Sequence, residues 1–317
     1  MKILVTGASG FIGSHTAEAL TAKGHAVTTL DAKPSSHPQN GQTRLVGDIL
    51  DPAFVRNAAQ GMDAVYHFAG IADIDECLRR PVDVARINIL GTVELLDACR
   101  LAGVGRFVFA SSAYVYGDAG YFYRTSKRSC EQFIEDYHEA YGLEYTCLRY
   151  GSLYGERADN RNSIYRILRQ ALECGHITYR GTGDELREFI HVRDAAEISV
   201  DILDREYANE CVTITGAEKL KYSDLLLMIQ EIMGNRIQIH YEASTRKAHY
   251  KITPYNFTPK LGRKISRKSH IDMGQGILFC LAEIFEQLHA TDAPEDTGLL
   301  QATPVNDVFR VTLANPQ

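Results

Sequence analysis

Short β-branched apolar runs alternate with stretches of helical periodicity along the first half of the chain. Ile3 to Thr6, Ala26 to Leu30, Thr43 to Val46, Ala64 to Phe68 and Arg106 to Ala110 read as strands. Between them, Phe11, Ile12, Ala17, Ala19 and Leu20 mark an amphipathic helix, and Asp51-Pro52 opens a second with an acidic cap and a first-turn proline. Val82 to Ala102 reads as one long helix, and another runs through Phe133, Ile134 and Tyr137 to Tyr141. This alternation predicts an α/β protein, a doubly wound parallel sheet with ligands at the carboxyl ends of its strands.

The second half is more mixed. Ile177 to Tyr179 and Glu188 to His191 read as strands, with Gly181-Thr-Gly183 as the turn between them. Asp194 to Leu203 reads as a helix and Cys211 to Thr215 as a strand. Ser223 is the expected cap of a helix carrying Leu225, Leu226, Leu227, Ile229, Ile232 and Met233. The expected division is a cofactor domain over 1–150 and a smaller α/β substrate domain over 151–290, some of whose segments can return to the first. Residues 291–317 lack periodicity and read as an extension, in which Val308 to Leu313 is a candidate edge strand.

Composition narrows the function. The 317 residues are 45% hydrophobic and 23% charged, an ordinary globular balance. A net charge of −6 gives no electrostatic reason to expect nucleic acid or an anionic membrane as partner. No apolar run reaches the roughly 18 residues of a membrane helix. The first strand begins at Lys2, so no leader peptide is expected. The seven cysteines are scattered with no CxxC pair, which predicts reduced thiols, no metal site and a cytoplasmic location.

Gly7, Gly10 and Gly13 stand between the first strand and the first helix. A strand turning through glycines into a helix leaves the first helical amides, those of Phe11 and Ile12 among them, free for a pyrophosphate. Asp31 ends the second strand 24 residues after Gly7, where a carboxylate accepts from ribose hydroxyls and repels a 2′-phosphate. That favours NAD over NADP, although Lys33 is close by. Farther on, the fifth strand ends in Ser111-Ser112, and Tyr123 and Lys127 follow four apart on one helix face. An ammonium beside a phenol favours the phenolate, a usable general base for a sugar hydroxyl, with Ser112 placed to orient the same oxygen.

At these residues the chain resembles the extended short-chain dehydrogenase/reductases, specifically the NAD-dependent nucleotide-sugar epimerase/dehydratase group. The resemblance rests on Thr6-Gly-Ala-Ser-Gly-Phe-Ile-Gly13, Asn88-Ile-Leu-Gly-Thr92, Ser112 with Val115-Tyr-Gly117, Tyr123-x-x-x-Lys127, Leu148-Arg-Tyr150 with Leu153-Tyr-Gly155, and the run from Arg187 to Ala195. It implies a Rossmann-type cofactor domain and a catalytic trio of Ser112, Tyr123 and Lys127. It also implies an NAD site that takes in Asp31, Asp48, Ile49, Phe68, Ala69, Gly70, Asn88 and Tyr150. For the substrate it implies a nucleoside diphosphate sugar, held in the C-terminal domain with Arg187 on the diphosphate and Ser152 near the sugar. The helices over 86–102 and 124–141 are those that the family pairs into a homodimer.

Departures from that pattern select among activities. Ala113 and Tyr114 stand where dehydratases carry Asp-Glu, and Tyr114 stands where decarboxylases carry Glu. Ser112 and Tyr123 are only 11 residues apart, which predicts an open pocket, and Gly151 and Ser152 are expected to enlarge its sugar side. The stretch Pro254 to Gly262 follows the family's closing motif only in part. With elimination and decarboxylation lacking their carboxylate, the expectation is a UDP-sugar 4-epimerase working through a transient 4-keto sugar. A keto-sugar reductase or dehydrogenase and a non-catalytic cofactor sensor are the alternatives.

Overall fold

Eight parallel strands form the central sheet, in the order β14-β11-β6-β5-β4-β1-β2-β3. These are β1 (Lys2–Thr6), β2 (Ala26–Asp31), β3 (Thr43–Val46), β4 (Ala64–His67), β5 (Arg106–Ser112), β6 (Glu144–Tyr150), β11 (Glu210–Ile214) and β14 (Arg263–Ile265). Three two-stranded pairs stand apart: β7 (Ser152–Tyr154) with β10 (Phe189–His191), β9 (Leu186–Arg187) with β12 (Leu220–Lys221), and β8 (His176–Arg180) with β13 (Gln238–Glu242). The helices are α1 (Phe11–Ala22), α2 (Pro52–Ala59), α3 (Ile74–Arg79), α4 (Pro81–Val84), α5 (Gly91–Ala102), α6 (Tyr121–Tyr141), α7 (Ser163–Cys174), α8 (Val192–Asp201), α9 (Tyr222–Ile232) and α10 (Met273–His289). This computed structural model describes residues 1–289 apart from 36, 38–39, 244–262 and 266–269. The expected closing motif over 254–262, the extension from 291 and its edge strand lie outside the described residues.

Both faces of the sheet are buried, so strand positions alternate between two cores. Leu4, Val65, Phe107 and Phe109 pack with Leu95 and Leu96 of α5 and Ile134 of α6. Ile3, Val5, Tyr66 and Val108 point the other way, onto Leu20 of α1 and Ile198 of α8. A third core joins α7, α9 and α10 through Leu168, Leu225, Ile229 and Ile277, and it forms the smaller lobe.

Several expectations are corrected. Gly181-Thr-Gly183 does not close a hairpin: β8 pairs with β13 and β10 pairs with β7, both in parallel. Val82 to Ala102 is not one regular helix, because Ala85–Leu90 winds as a π segment between α4 and α5. Ser223 is not the cap of α9; Lys221 occupies that position, and the Ser223 hydroxyl donates to Asp224. After residue 150 the chain recrosses to the main sheet, placing β11 beside β6 and α8 against α1's side of it.

Candidate active site

The glycine turn is built by backbone crowding. Gly7 sits at φ +68°, and a Cβ there would run into the Ala69 amide at the end of β4. A Cβ on Gly13 would run into the Gly7 carbonyl, so α1 can cross β1 this closely only with glycine. Gly10 is the N-cap of α1, with no side chain capping it and no acid in the first turn. The amides of Phe11 and Ile12 therefore face outward at the positive end of a helix, a geometry suited to a pyrophosphate. Asp31 accepts from the Ser9 amide at 2.9 Å and from the Lys33 amide at 3.4 Å, which fixes its carboxylate over the turn. A cavity beside it is lined by Ala8, Ser9, Asp31, Lys33 and Arg44. A carboxylate anchored at the mouth of a cavity next to unpaired helix amides fits the adenosine half of a dinucleotide.

Across the sheet, Ser112 ends β5, and its Oγ accepts the Tyr114 amide at 3.3 Å, capping the 3₁₀ turn Ala113–Tyr116. Tyr123 and Lys127 share one face of α6, with Lys127 Nζ 5.9 Å from the Tyr123 ring centroid. The ammonium donates to the Ala110 carbonyl at 2.6 Å, tying α6 to the end of β5, and lies 4.7 Å from the centre of the Phe109 ring. Burial pushes the Lys127 ammonium below its ordinary range, while the Glu131 carboxylate acts in the opposite sense. The three predicted catalytic side chains thus converge at one strand end.

Other predicted residues take different places. Asn88 is buried, in the π segment. Its amide donates to Ile71 O at 3.0 Å and Ser126 Oγ at 3.1 Å, and its Oδ1 accepts the Ile71 amide at 2.7 Å. It clamps the loop after β4 to the α6 helix one residue from Lys127. The Tyr150 hydroxyl pairs with Ser199 Oγ at 2.6 Å on α8. Ile49 is buried, with its side chain filling the space that Gly91 leaves; Asp48 is exposed and accepts the Leu50 amide. Phe68 stacks on Tyr66, and Ala69 and Gly70 follow it at the strand end. Gly151 does not enlarge the sugar side, because the Thr215 methyl takes the space a Cβ would need. Ser152 opens β7, half-buried. Arg187 is buried in the smaller lobe, donating to Leu186 O and lying 5.6 Å from the Tyr222 ring centroid.

Two further groups brace the site. Arg149 meets Glu131 at 2.7 and 3.0 Å, and Glu131 also accepts Ser111 Oγ–H at 2.6 Å. Glu131 lies one helical turn past Lys127, so the spacing Tyr123, Lys127, Glu131 was the available signal. Buried His67 bridges Thr6 at 2.7 Å and Thr92 at 2.9 Å, linking β1, β4 and α5, and nothing in the sequence pattern pointed to it. A separate cavity between α8 and the smaller lobe is lined by His191, Asp194, Thr215, Glu218 and His270; none of the trio lines it.

Residues 3–214 match the family model of the NAD dependent epimerase/dehydratase family. The chain belongs to that family. Among its members, the UDP-glucose 4-epimerase of Erwinia amylovora is 33% identical, over 66% of this chain and 75% of its own. The UDP-N-acetyl-alpha-D-glucosaminuronate decarboxylase of Bacillus cytotoxicus is 29% identical, over 83% of this chain and 88% of its own. The fold of this family member superposes on UDP-glucuronic acid 4-epimerase from Bacillus cereus, crystallised with UDP-glucuronic acid and NAD, at a TM-score of 0.78 and 25% identity, covering 90% of this chain and all of the other. The cofactor of the family is NAD, and the glycine turn with Asp31 fits it.

Proposed function

We propose that this chain is an NAD-dependent UDP-sugar 4-epimerase acting through a transient 4-keto sugar. The observation that carries the reading is the convergence of Ser112, Tyr123 and Lys127 at the end of β5 with no carboxylate at positions 113 and 114. The amides of Phe11 and Ile12, with Gly7, Gly10 and Gly13 behind them, would hold the NAD pyrophosphate, and Asp31 its adenosine ribose. Bound NAD would supply the reversible two-electron acceptor for the sugar. Tyr123 takes the C4 hydroxyl proton and later returns it. Lys127 stabilises the phenolate electrostatically, and Ser112 orients the reacting oxygen. Arg187 would hold the diphosphate while the sugar turns over, since a planar guanidinium suits phosphate oxygens.

The relatives support the choice of sugar nucleotide: those named above act on UDP-linked sugars by name. The test is incubation with UDP-glucose, UDP-glucuronate and their N-acetylated counterparts without added cofactor. Epimer interconversion is expected. Net NADH change with added NAD would instead identify a dehydrogenase, and no reaction with any sugar would point to a cofactor sensor.

A homodimer through α5 and α6 belongs to the same reading. Leu90, Leu101, Phe133 and Tyr141 are exposed on this pair of helices and their π segment, an apolar surface that a second copy would cover. Sedimentation velocity is expected to give a dimer, and Leu101→Glu a monomer. No helix among the described residues is long and apolar enough to cross a membrane; we place the protein in the cytoplasm, where its seven free cysteines would stay reduced.

A further inference from the structure

Tyr114 is built into the site rather than left beside it. Its amide donates to Ser112 Oγ at 3.3 Å. Its ring meets that of Tyr123 edge-on, centroids 6.0 Å apart at 79°. Behind it Gly120 sits at φ +94°, and a Cβ there would stand 2.7 Å from Tyr114 Cδ1. The glycine therefore makes room for this ring as well as for the backbone. Arg128 pins the turn that carries it, donating to Val115 O at 2.8 Å and Gly117 O at 2.9 Å. Tyr114 and Tyr123 are both half-buried, so each covers part of the other.

We propose that Tyr114 is a specificity-determining wall of the sugar site, a neutral aromatic that shields Tyr123 from water and retains the ketone until it is reduced again. The proposal rests on the epimerase reading. In the first half-reaction C4 loses its hydrogen with the electron pair to the cofactor and its hydroxyl proton to Tyr123. The product is a ketone, whose neighbouring C–H is acidified. A carboxylate at position 114 would be a base within reach of the pocket and would open a route to elimination; a phenol, neutral near pH 7, does not. A fixed ring at this place would also narrow the exit for the ketone, and a ketone that leaves strands the cofactor in its reduced form.

The test compares Tyr114→Ser with Tyr114→Phe, which keeps the ring. Tetranitromethane treatment of the protein as purified, with peptide mapping, reads access to Tyr123 independently of turnover. Nitration of Tyr123 is expected to rise severalfold in Tyr114→Ser and to stay at the wild-type level in Tyr114→Phe. With UDP-glucose, Tyr114→Ser is expected to accumulate protein-bound reduced nicotinamide, seen by its near-ultraviolet absorbance, and Tyr114→Phe to accumulate clearly less of it per turnover. Unchanged Tyr123 nitration in a folded Tyr114→Ser protein overturns the proposal, whatever the wild type does with sugars. If the nitration difference is present but the wild type forms no epimer, the shielding role stands and the epimerase reading fails.

Discussion

A buried ammonium beside a phenol ring sets what Tyr123 can do. Desolvation works against the Lys127 charge, but the Ala110 carbonyl at 2.6 Å and the Phe109 ring face offset part of that cost. Tyr123→Phe removes the proposed proton acceptor while leaving the glycine turn on β1 untouched. Its kcat is expected to fall by about 10²–10⁴-fold, with NAD still released on denaturation of the purified protein. Activity within a few-fold of wild type would take Tyr123 out of the mechanism. At this scale the sequence pattern located residues but not the atoms they engage. Asn88 and Tyr150 stand in the right strands and helices, yet their polar atoms are taken up by Ile71, Ser126 and Ser199. Spacing along a chain says nothing about which neighbour a side chain meets across the fold.

Elements are joined here by buried polar contacts. The Glu131–Arg149 pair locks α6 onto β6, with side chains 10% and 6% exposed. Burial works against the Arg149 charge, and the Glu131 hydrogen bonds outweigh it. Breaking such a pair by removing one partner leaves an uncompensated charge and costs about 3–5 kcal/mol. Arg149→Met is therefore expected to lower unfolding free energy by that amount in denaturant titration, and Glu131→Leu/Arg149→Met by clearly less. Equal losses in the single and double variants would mean that packing, not charge, dominates. The π segment over Ala85–Leu90 has the same logic: the extra residue per turn turns Asn88 inward, where it clamps the loop after β4 to α6. Helical periodicity predicts helix there and cannot distinguish a π turn from an α turn.

For the whole molecule, several buried groups make stability depend on pH. Burial lowers His67 from 6.5 to about 3 and His15 from 6.5 to about 4. Below pH 6.5 the unfolded chain takes up protons that the folded chain refuses, so stability falls as pH drops from there toward those folded values. For Glu156 burial acts to raise the value, but the His191 ring 3.2 Å from its carboxylate and the Arg193 guanidinium act the other way and win, leaving it at about 2 against an ordinary 4.5. Its contribution is present above 4.5 and is lost as pH falls toward about 2. All three slopes have the same sign. Thermal melting by calorimetry is expected to show a falling melting temperature from pH 7 to pH 4, with a shallower fall in His15→Gln. A melting temperature independent of pH over that range would contradict the burial of these imidazoles.

The sequence by itself determined the parallel α/β sheet, the glycine turn with Asp31, and the positions of Ser112 at a strand end and of Tyr123 and Lys127 one helical turn apart. Each of those is written in local terms: a hydrophobic period, a glycine where a Cβ cannot fit, two side chains one helical turn apart. Only the tertiary structure decided that β8 and β10 take separate partners, that β11 and α8 return to the first sheet, and that Thr215 fills the space beside Gly151. It also decided that Tyr114 closes against Tyr123. These outcomes depend on contacts between segments far apart in the chain, where strand pairing and side-chain volume compete across the whole core.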